Sequence, residues 1–519
     1  MKKDSGTEVR KDKQILINMI IQIISFVINV AISFFLTSFI VEKIGKEVFG
    51  FWGLANNFIS YITVFTIALN SMLSRFVTIK LHQNDFESAN KYFSSVAIAN
   101  IVLSIILCIP TIMMILLLEK VINIPEDFIF DVKLLWLFLF CSFFLNLSTS
   151  VFDVATFAKN RLDLSASINI KSNIFRALLL IVLFSCISPH LWYIGIAFLI
   201  CTIYMVVKKY KFYKELTPDL IVAKRSFDWK SMKELLAVGF WNSVNQLNQI
   251  FMTGLDLLLT NIFIGATDMS MLSVAKTIPM QLQIFVQMIA NTFTPQLTIT
   301  YAKKGLNEFI KQVIFSMKVT GFLGSVPIIG LVVFGKDFFS LWMGSLSDSE
   351  IIKVHMLSIL TLLPMLCDTI VNPLFNVNTI TTRVKIPVIT NLVIGILNVC
   401  IVYLLVKYTN LGVFAVAGVS AIMVLLRMIL FIPVYSAHIL KVKWSTFYWV
   451  LLRGGLSLII LTVVFMLIHN LTNITSWFSL IIICMLAGMF GYILNFLIMF
   501  NKEEKRIVIN VLKQKLNKN

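Results

Sequence analysis

The sequence consists of long apolar runs separated by short loops. A helix needs about 20 apolar residues to cross the hydrocarbon core of a bilayer, and fourteen runs of about that length occur along the 519 residues. Because lipid offers no partner to backbone N–H and C=O groups, such runs must be helical. The predicted spans are 15–41, 48–71, 93–118, 132–157, 164–187, 189–207, 235–264, 272–299, 313–334, 351–378, 384–406, 411–436, 450–470 and 476–499.

The distribution of charge gives these spans an orientation. The chain has 44 Lys and Arg against 26 Asp and Glu, a net charge of +18. The basic residues concentrate at both termini and in the loops after even-numbered spans, and cytoplasmic segments of membrane proteins carry such an excess. We therefore predict that both termini are cytoplasmic. The net charge then reflects membrane topology, and we expect no nucleic-acid partner.

The most basic internal loop divides the predicted spans into two groups. Residues 208–234 contain eight Lys and Arg and follow the sixth span. The predicted organisation is an N-terminal lobe over 1–210, a basic cytoplasmic linker over 211–234, a C-terminal lobe over 235–436, and two further helices with a basic cytoplasmic tail over 437–519.

The two lobes show signs of an internal repeat. A shift of about 220 residues aligns the end of the second span with the end of the eighth, placing Asn70 over Asn291 and Glu87 over Glu308. Six spans are an even number, so both lobes would enter the membrane from the same side. Parallel repeats of this kind are a transporter architecture with a substrate path between the lobes.

Polar side chains recur at helical spacing within several spans. A polar side chain that faces lipid is unfavourable, so such stripes usually face a cavity or the interior of the bundle. The stripes predict a cavity that accommodates a polar substrate; the alternative is that they hydrogen-bond neighbouring helices as packing contacts. The candidate cavity residues are Asn29, Asn56, Asn146, Asn242, Asn245, Gln249, Gln287, Asn291 and Asn372.

A few charged residues lie within or at the ends of spans. Arg176, Lys171 and Arg75 are candidates for binding a phosphate group, since guanidinium groups recognise phosphate in a bidentate manner. The alternative for them, and for Lys318, is that the side chains extend to the lipid headgroups.

Three acidic residues also fall within spans. Asp153, Asp256 and Asp368 are candidates for coupling transport to H⁺ or Na⁺, or are simply partners of the intramembrane cations. The seven cysteines show no metal-ligand spacing, so we expect no metal site and no cofactor.

Several segments resemble the polysaccharide (Wzx-type) flippases of the multidrug/oligosaccharidyl-lipid/polysaccharide exporter superfamily. The segment IVEKIGKEVFGFWGLANNF (40–58) is similar to the family's first hairpin, and SFDWKSMKELLAVGFWNSVNQL (226–247) to its linker and polar seventh helix. FTPQLTITYAKKG (293–305) and VITNLVIGILNVCIVYLLVKYTNLGVFAVAGVSAI (388–422) resemble the ends of the eighth helix and the eleventh and twelfth helices. The resemblance covers nearly the whole chain.

This resemblance implies an all-α, MATE-like fold with two six-helix lobes and two C-terminal helices in the bacterial plasma membrane. The implied function is translocation of an undecaprenyl-pyrophosphate-linked oligosaccharide to the outer leaflet by alternating access. Partners would be the lipid-linked oligosaccharide, membrane lipids and polysaccharide polymerase or assembly proteins. A cation-coupled multidrug antiporter is the alternative. A membrane polymerase is disfavoured because the outer loops are short and contain no catalytic motif.

Overall fold

The chain is almost entirely helical in the computed structural model, which describes residues 4–303, 305–381, 383 and 385–506. The part of the predicted basic tail beyond residue 506 lies outside the described residues. In order, the helices are α1 (Asp4–Ile44), α2 (Lys46–His82), α3 (Phe86–Leu116), α4 (Glu126–Ala158), α5 (Leu162–Cys186), α6 (Trp192–Leu216), α7 (Trp229–Gln249 and Asp256–Phe263), α8 (Ala266–Thr292 and Thr294–Lys303), α9 (Leu306–Trp342), α10 (Asp348–Ile380), α11 (Lys385–Tyr408), α12 (Val413–Ile439), α13 (Tyr448–Leu471) and α14 (Trp477–Met499).

Twelve helices among the described residues are long and apolar enough to cross a membrane. The two helices outside this set are α7, which is interrupted and rich in amide side chains, and α8, which carries Asp268 and Lys276. Both lie where the sequence predicts spans. The predicted fold class, an all-α polytopic membrane protein with about fourteen membrane helices, is confirmed, with roughly twelve to fourteen such helices in the structure.

The helices form two compact units, Met1–Ser270 and Met271–Asn519. The first unit therefore includes α7 as well as α1 to α6. The sequence instead predicts a boundary between the lobes at the linker, residues 211–234. The division into lobes that move against each other stays a prediction.

Helices α2 and α7 pack against each other in antiparallel fashion inside the first unit. A Cβ atom at Gly239 would overlap the backbone carbonyl of Ala68, so the two backbones are in direct contact there. Along the same seam, Ser243 Oγ donates to the carbonyl of Val64 at 2.7 Å. Small residues that allow close backbone approach are typical of membrane helix interfaces.

The linker between α6 and α7 is attached to the beginning of α3. The side chains of Asn90, Ser94 and Ser95 each exchange hydrogen bonds with backbone groups of linker residues 219–228. Asp228 then caps α7, and its hydrogen bonds to the hydroxyl and N–H of Ser231 lower the pKa of the Asp228 carboxyl. The linker is thus a docked segment with a defined path.

In the second unit, α9 packs against α10, α13 and α14. Lys318 of α9 is buried, and its ammonium group forms an ion pair with Glu504 at 2.7 Å. Glu504 follows α14 in the segment 501–506, which folds back over this unit. The expectation that Lys318 extends to the headgroups is therefore wrong, because an acceptor from the C-terminal segment reaches it inside the protein.

Candidate functional site

A π-helical turn interrupts α7 and divides its polar stripe. The turn covers Ile250–Gly254, and a π turn inserts one extra residue into a helix. Since each residue of an α-helix turns the chain by about 100°, the residues after the turn are rotated by about that angle. In a regular α-helix, Asp256 and Thr260 would continue the polar face of Asn245 and Gln249. Because of the π turn, these two residues no longer share the face of Gln249.

The first half of α7 presents its amides in two ways. Asn245 and Gln249 are exposed, as is Thr253 inside the π turn. Asn242 instead donates to Ser71 Oγ of α2 at 3.0 Å, and therefore contributes to the α2–α7 seam. The cavity role stays a prediction for all three amides, and Asn242 in addition makes a packing contact with α2.

The end of the long segment of α8 carries a second open polar face. Gln287 and Asn291 are exposed and line an open depression of about 460 Å³ on this helix. Ile284, Met288 and Thr292 complete its lining. The structure therefore brings the two predicted residues of α8 together on one accessible surface of the second unit.

The other four predicted cavity amides differ in their surroundings. Asn29 accepts a hydrogen bond from Asn173 of α5 at 3.3 Å. Asn56 is exposed, whereas Asn146 is half-buried. Asn372 donates to both carboxylate oxygens of Asp368, at 3.3 and 3.1 Å.

The three predicted phosphate-binding cations lie on two helices, Lys171 and Arg176 on α5 and Arg75 on α2. Arg176 lies about 21 Å along α5 from its first residue, whereas Arg75 lies about 10 Å from the last residue of α2. Arg75 and Lys171 are exposed.

Arg176 is the most deeply placed of these cations. Its guanidinium carbon lies 4.2 Å from the centre of the Phe198 ring of α6, an arrangement that stabilises a cation. Its Nε is buried and has no hydrogen-bond partner among the described residues. Arg176 therefore retains donors for an acceptor that comes from outside the described chain.

The three intramembrane acids have distinct environments. Asp153 forms an ion pair with Lys209 of α6 at 2.9 Å. Asp256 is buried at 2% exposure in the first unit, and Asp368 is buried at 7% exposure in the second. Asp368 interacts electrostatically with Arg427, which is the first residue of a π-helical turn in α12. Asp153 thus has a cationic partner, and Asp368 also has a cation nearby; coupling by H⁺ or Na⁺ stays a prediction for all three acids.

An apolar cavity of about 380 Å³ lies between α8, α9, α13 and α14 in the second unit. Its walls are almost wholly carbon, and glycines on two of these helices leave it open. Among the lining residues are Leu282, Gly330, Phe334, Phe465, Cys484 and Gly488. A hydrocarbon chain is the kind of group that fits such a space.

Three histidines at or near helix ends contact neighbouring helices. His190 lies 3.1 Å from Asp131 at the beginning of α4, and His469 lies 2.8 Å from Asp337 near the end of α9. His355 contacts the carbonyl of Val332 at 3.1 Å. Among the described residues, no group of three or more His, Cys, Asp or Glu side chains could hold a metal ion.

Asn57, Tyr61 and Arg427 are candidate residues that the polar stripes did not indicate. Asn57 and Tyr61 lie on the seam face of α2, which continues through residues 64, 68 and 71 at alternating steps of four and three. That spacing is visible in the sequence, but its residues are of mixed polarity and do not stand out. Arg427 is recognisable in the sequence as a lone arginine inside the apolar run of the twelfth predicted span.

The many long apolar helices, together with the exposed polar faces of α7 and α8, define the class of protein: a polytopic membrane protein with polar helix faces. A family model described as "Polysaccharide biosynthesis protein" matches residues 13–300, more than half of the chain, and the chain belongs to this family. The protein is 28% identical over 495 residues to the "Uncharacterized membrane protein EpsK" of Bacillus subtilis (strain 168), covering 95% of this chain and 97% of EpsK.

Solved structures confirm the MATE-like fold. An inward-facing multidrug resistance MATE family transporter of the MOP superfamily superposes with a TM-score of 0.66 at 13% identity, covering 82% of this chain and 99% of that one. The lipid II flippase MurJ, in an inward closed conformation, superposes with a TM-score of 0.62 at 14% identity, covering 92% and 98%. The predicted MATE-like fold is therefore confirmed, and the family model shows the polysaccharide biosynthesis family.

Proposed function

We propose that the protein is a flippase that moves an undecaprenyl-pyrophosphate-linked oligosaccharide from the cytoplasmic to the outer leaflet by alternating access. The observation that carries the proposal is the set of exposed amides on α7 and α8, the two helices that lie where the sequence predicts polar membrane spans. Membership of a polysaccharide biosynthesis family and a fold shared with a lipid II flippase support it. The protein would act in the bacterial plasma membrane with cytoplasmic termini, beside polymerase or assembly proteins of a capsule, exopolysaccharide or other cell-surface glycan.

The amides suit the sugar part of such a cargo. Asn245, Gln249, Gln287 and Asn291 can each donate and accept hydrogen bonds, as sugar hydroxyls require. Desolvated hydroxyls need such partners inside a membrane, where water is scarce. We assign these four residues to the glycan, with Asn29, Asn56, Asn146, Asn242 and Asn372 as candidates of the same kind.

Arg176 is our first candidate for the pyrophosphate, with Lys171 and Arg75 as further positions along the path. We expect Arg176→Ala to reduce transport about tenfold or more, because a charge-assisted bidentate bond is lost. Arg176→Lys would recover only part of the activity, since lysine lacks the planar fork. Transport is measured by the appearance of the lipid-linked oligosaccharide on the outer face at equal protein levels.

Lys407→Ala is the matched control, because Lys407 is an exposed basic residue at the end of α11 outside the proposed path. Unchanged transport by Arg176→Ala would contradict the phosphate assignment.

The apolar cavity of the second unit is our candidate for the polyprenyl tail. A Cβ atom added at Gly488 meets nothing within 4 Å, so the first carbon of a larger side chain fits there, and in Gly488→Phe we expect the ring to occupy the cavity. We expect this variant to reduce transport about tenfold by excluding the tail. Gly455→Phe is the control, because Gly455 of α13 is equally open but does not line the cavity. Equal transport by the two variants would show that the tail binds elsewhere.

The experiment that tests the function is deletion of the gene followed by mass analysis of lipid-linked oligosaccharides in each leaflet. A complete undecaprenyl-linked unit that accumulates on the cytoplasmic face supports the flippase and identifies its glycan. Complete units on the outer face with the polymer missing would indicate a polymerase. Altered drug efflux without a glycan phenotype would favour the cation-coupled antiporter, for which the buried carboxylate of Asp368 is the specific observation.

A further inference from the structure

The π turn of α7 is held from outside by two side chains of α2. The carbonyl of Gly254, the last residue of the turn, accepts a hydrogen bond from Tyr61 Oη at 2.6 Å and another from Asn57 Nδ2 at 2.8 Å. Within the turn, the N–H of Leu255 bonds to the carbonyl of Ile250 at 3.0 Å, which is the i to i+5 pattern. Two donors from a neighbouring helix thus converge on one backbone oxygen at the point where the helical pattern changes.

The turn sets the rotation of everything that follows it in α7. Asn261, which lies beyond the turn, is fully buried and bonds to the backbone N–H of Asn123 at 2.8 Å. Asn123 in turn donates from its side chain to the carbonyl of Asn261 at 2.8 Å. If the turn lost its extra residue and became α-helical, Thr260 would take the position that Asn261 now holds.

We propose that Asn57 and Tyr61 are positioning residues for the polar lining of α7. By holding the Gly254 carbonyl they keep the π turn, and the π turn keeps Asn245 and Gln249 on an open face while Asp256 and Thr260 stay inside the unit. This inference rests on the proposed function, because the lining it describes is the one assigned to the glycan. It goes further by naming the residues that decide which polar groups the lining contains.

The packing around Gly254 leaves room for a Cβ atom, so close packing does not require glycine at this position. A Cβ atom there would have its nearest contacts at 3.6 Å, with Ile250 and Tyr61, which is ordinary van der Waals distance. The carbonyl and its two donors, rather than the missing side chain, are therefore the feature under test. Gly254→Ala keeps the carbonyl and serves as the matched control.

The test is a pair of disulfide reporters that read the register of α7. Asn123→Cys is combined with Asn261→Cys in one protein and with Thr260→Cys in another, with the single Asn123→Cys variant as background. In the parent protein the 123–261 pair is expected to form the disulfide about tenfold more efficiently than the 123–260 pair. In the Asn57→Leu/Tyr61→Phe background, which removes both donors at similar volume, the preference is expected to reverse and transport to fall.

Two results would overturn the proposal. The first is an unchanged 123–261 preference in Asn57→Leu/Tyr61→Phe, which would show that α2 does not hold the turn. The second is a reversed preference with normal glycan transport, which would show that the register of α7 does not matter to the lining. Because the disulfide yields need no substrate, they report on the register even if the proposed function fails.

If neither disulfide forms in the Asn57→Leu/Tyr61→Phe background, a deletion variant tests the proposal. Removing Phe251 from the turn deletes the extra residue, so that a regular α-helix presents Asn261 to Asn123 again. Combined with Asn57→Leu/Tyr61→Phe, this deletion is expected to restore the 123–261 disulfide. Failure of the deletion to restore it would contradict a role for the two donors in setting the register.

Discussion

Gly239→Leu is expected to destabilise the protein by about 3 kcal/mol or more. The backbone of α7 touches the backbone of α2 at this residue, because even a Cβ atom would overlap the carbonyl of Ala68. Overpacking of a well-packed interior commonly costs about 1–3 kcal/mol when side chains can adjust, and here the obstacle is backbone. The free energy of unfolding, measured on the purified protein in mixed micelles, tests this prediction.

Gly455→Leu is the control for this substitution. Gly455 also lies within a membrane helix, α13, and a Cβ atom there meets nothing within 4 Å. Equal stability of Gly239→Leu and Gly455→Leu would refute the close approach of α2 and α7. Gly239→Ala should fall between the two, since its methyl group already reaches the carbonyl.

Glu504→Gln is expected to destabilise the second unit by about 3–5 kcal/mol, because it leaves the buried ammonium group of Lys318 without its counter-charge. The side chain of Lys318 is only 5% exposed, and Glu504 is 21% exposed. Replacing both charges, as Lys318→Met/Glu504→Gln, should recover most of the loss because no unpaired charge remains inside. The free energies of unfolding of the two single variants and the double variant provide the measurement.

The exposed pair between Lys311 and Glu308 of the same helix is the comparison. Its side chains are 72% and 52% exposed, and such pairs contribute about 0–1 kcal/mol. Lys311→Met should therefore leave the stability almost unchanged. Additive effects of Lys318→Met and Glu504→Gln, with no recovery in the double variant, would mean that the ion pair does not form.

Part of the candidate site could be predicted because helical spacing alone identifies polar faces. Gln287 and Asn291, four residues apart, do share an exposed face. The same spacing gave no sign that Asn242 also bonds to Ser71 of α2, since a polar amide within a span can be satisfied by a cavity or by a neighbouring helix. Helical spacing predicts which residues share a face of a helix. It does not predict whether that face lines a cavity or packs against another helix.

The sequence by itself determined the helical spans, the fold class and the family of this protein. Apolar length suffices for this, because a chain in lipid must satisfy its backbone within each helix. Only the tertiary structure decided the break in the stripe of α7 and the partner of Lys318. The first depends on donors from α2 that reach Gly254, and the second on a carboxylate 186 residues away in sequence. Both are contacts between distant segments, and local periodicity carries no information about them.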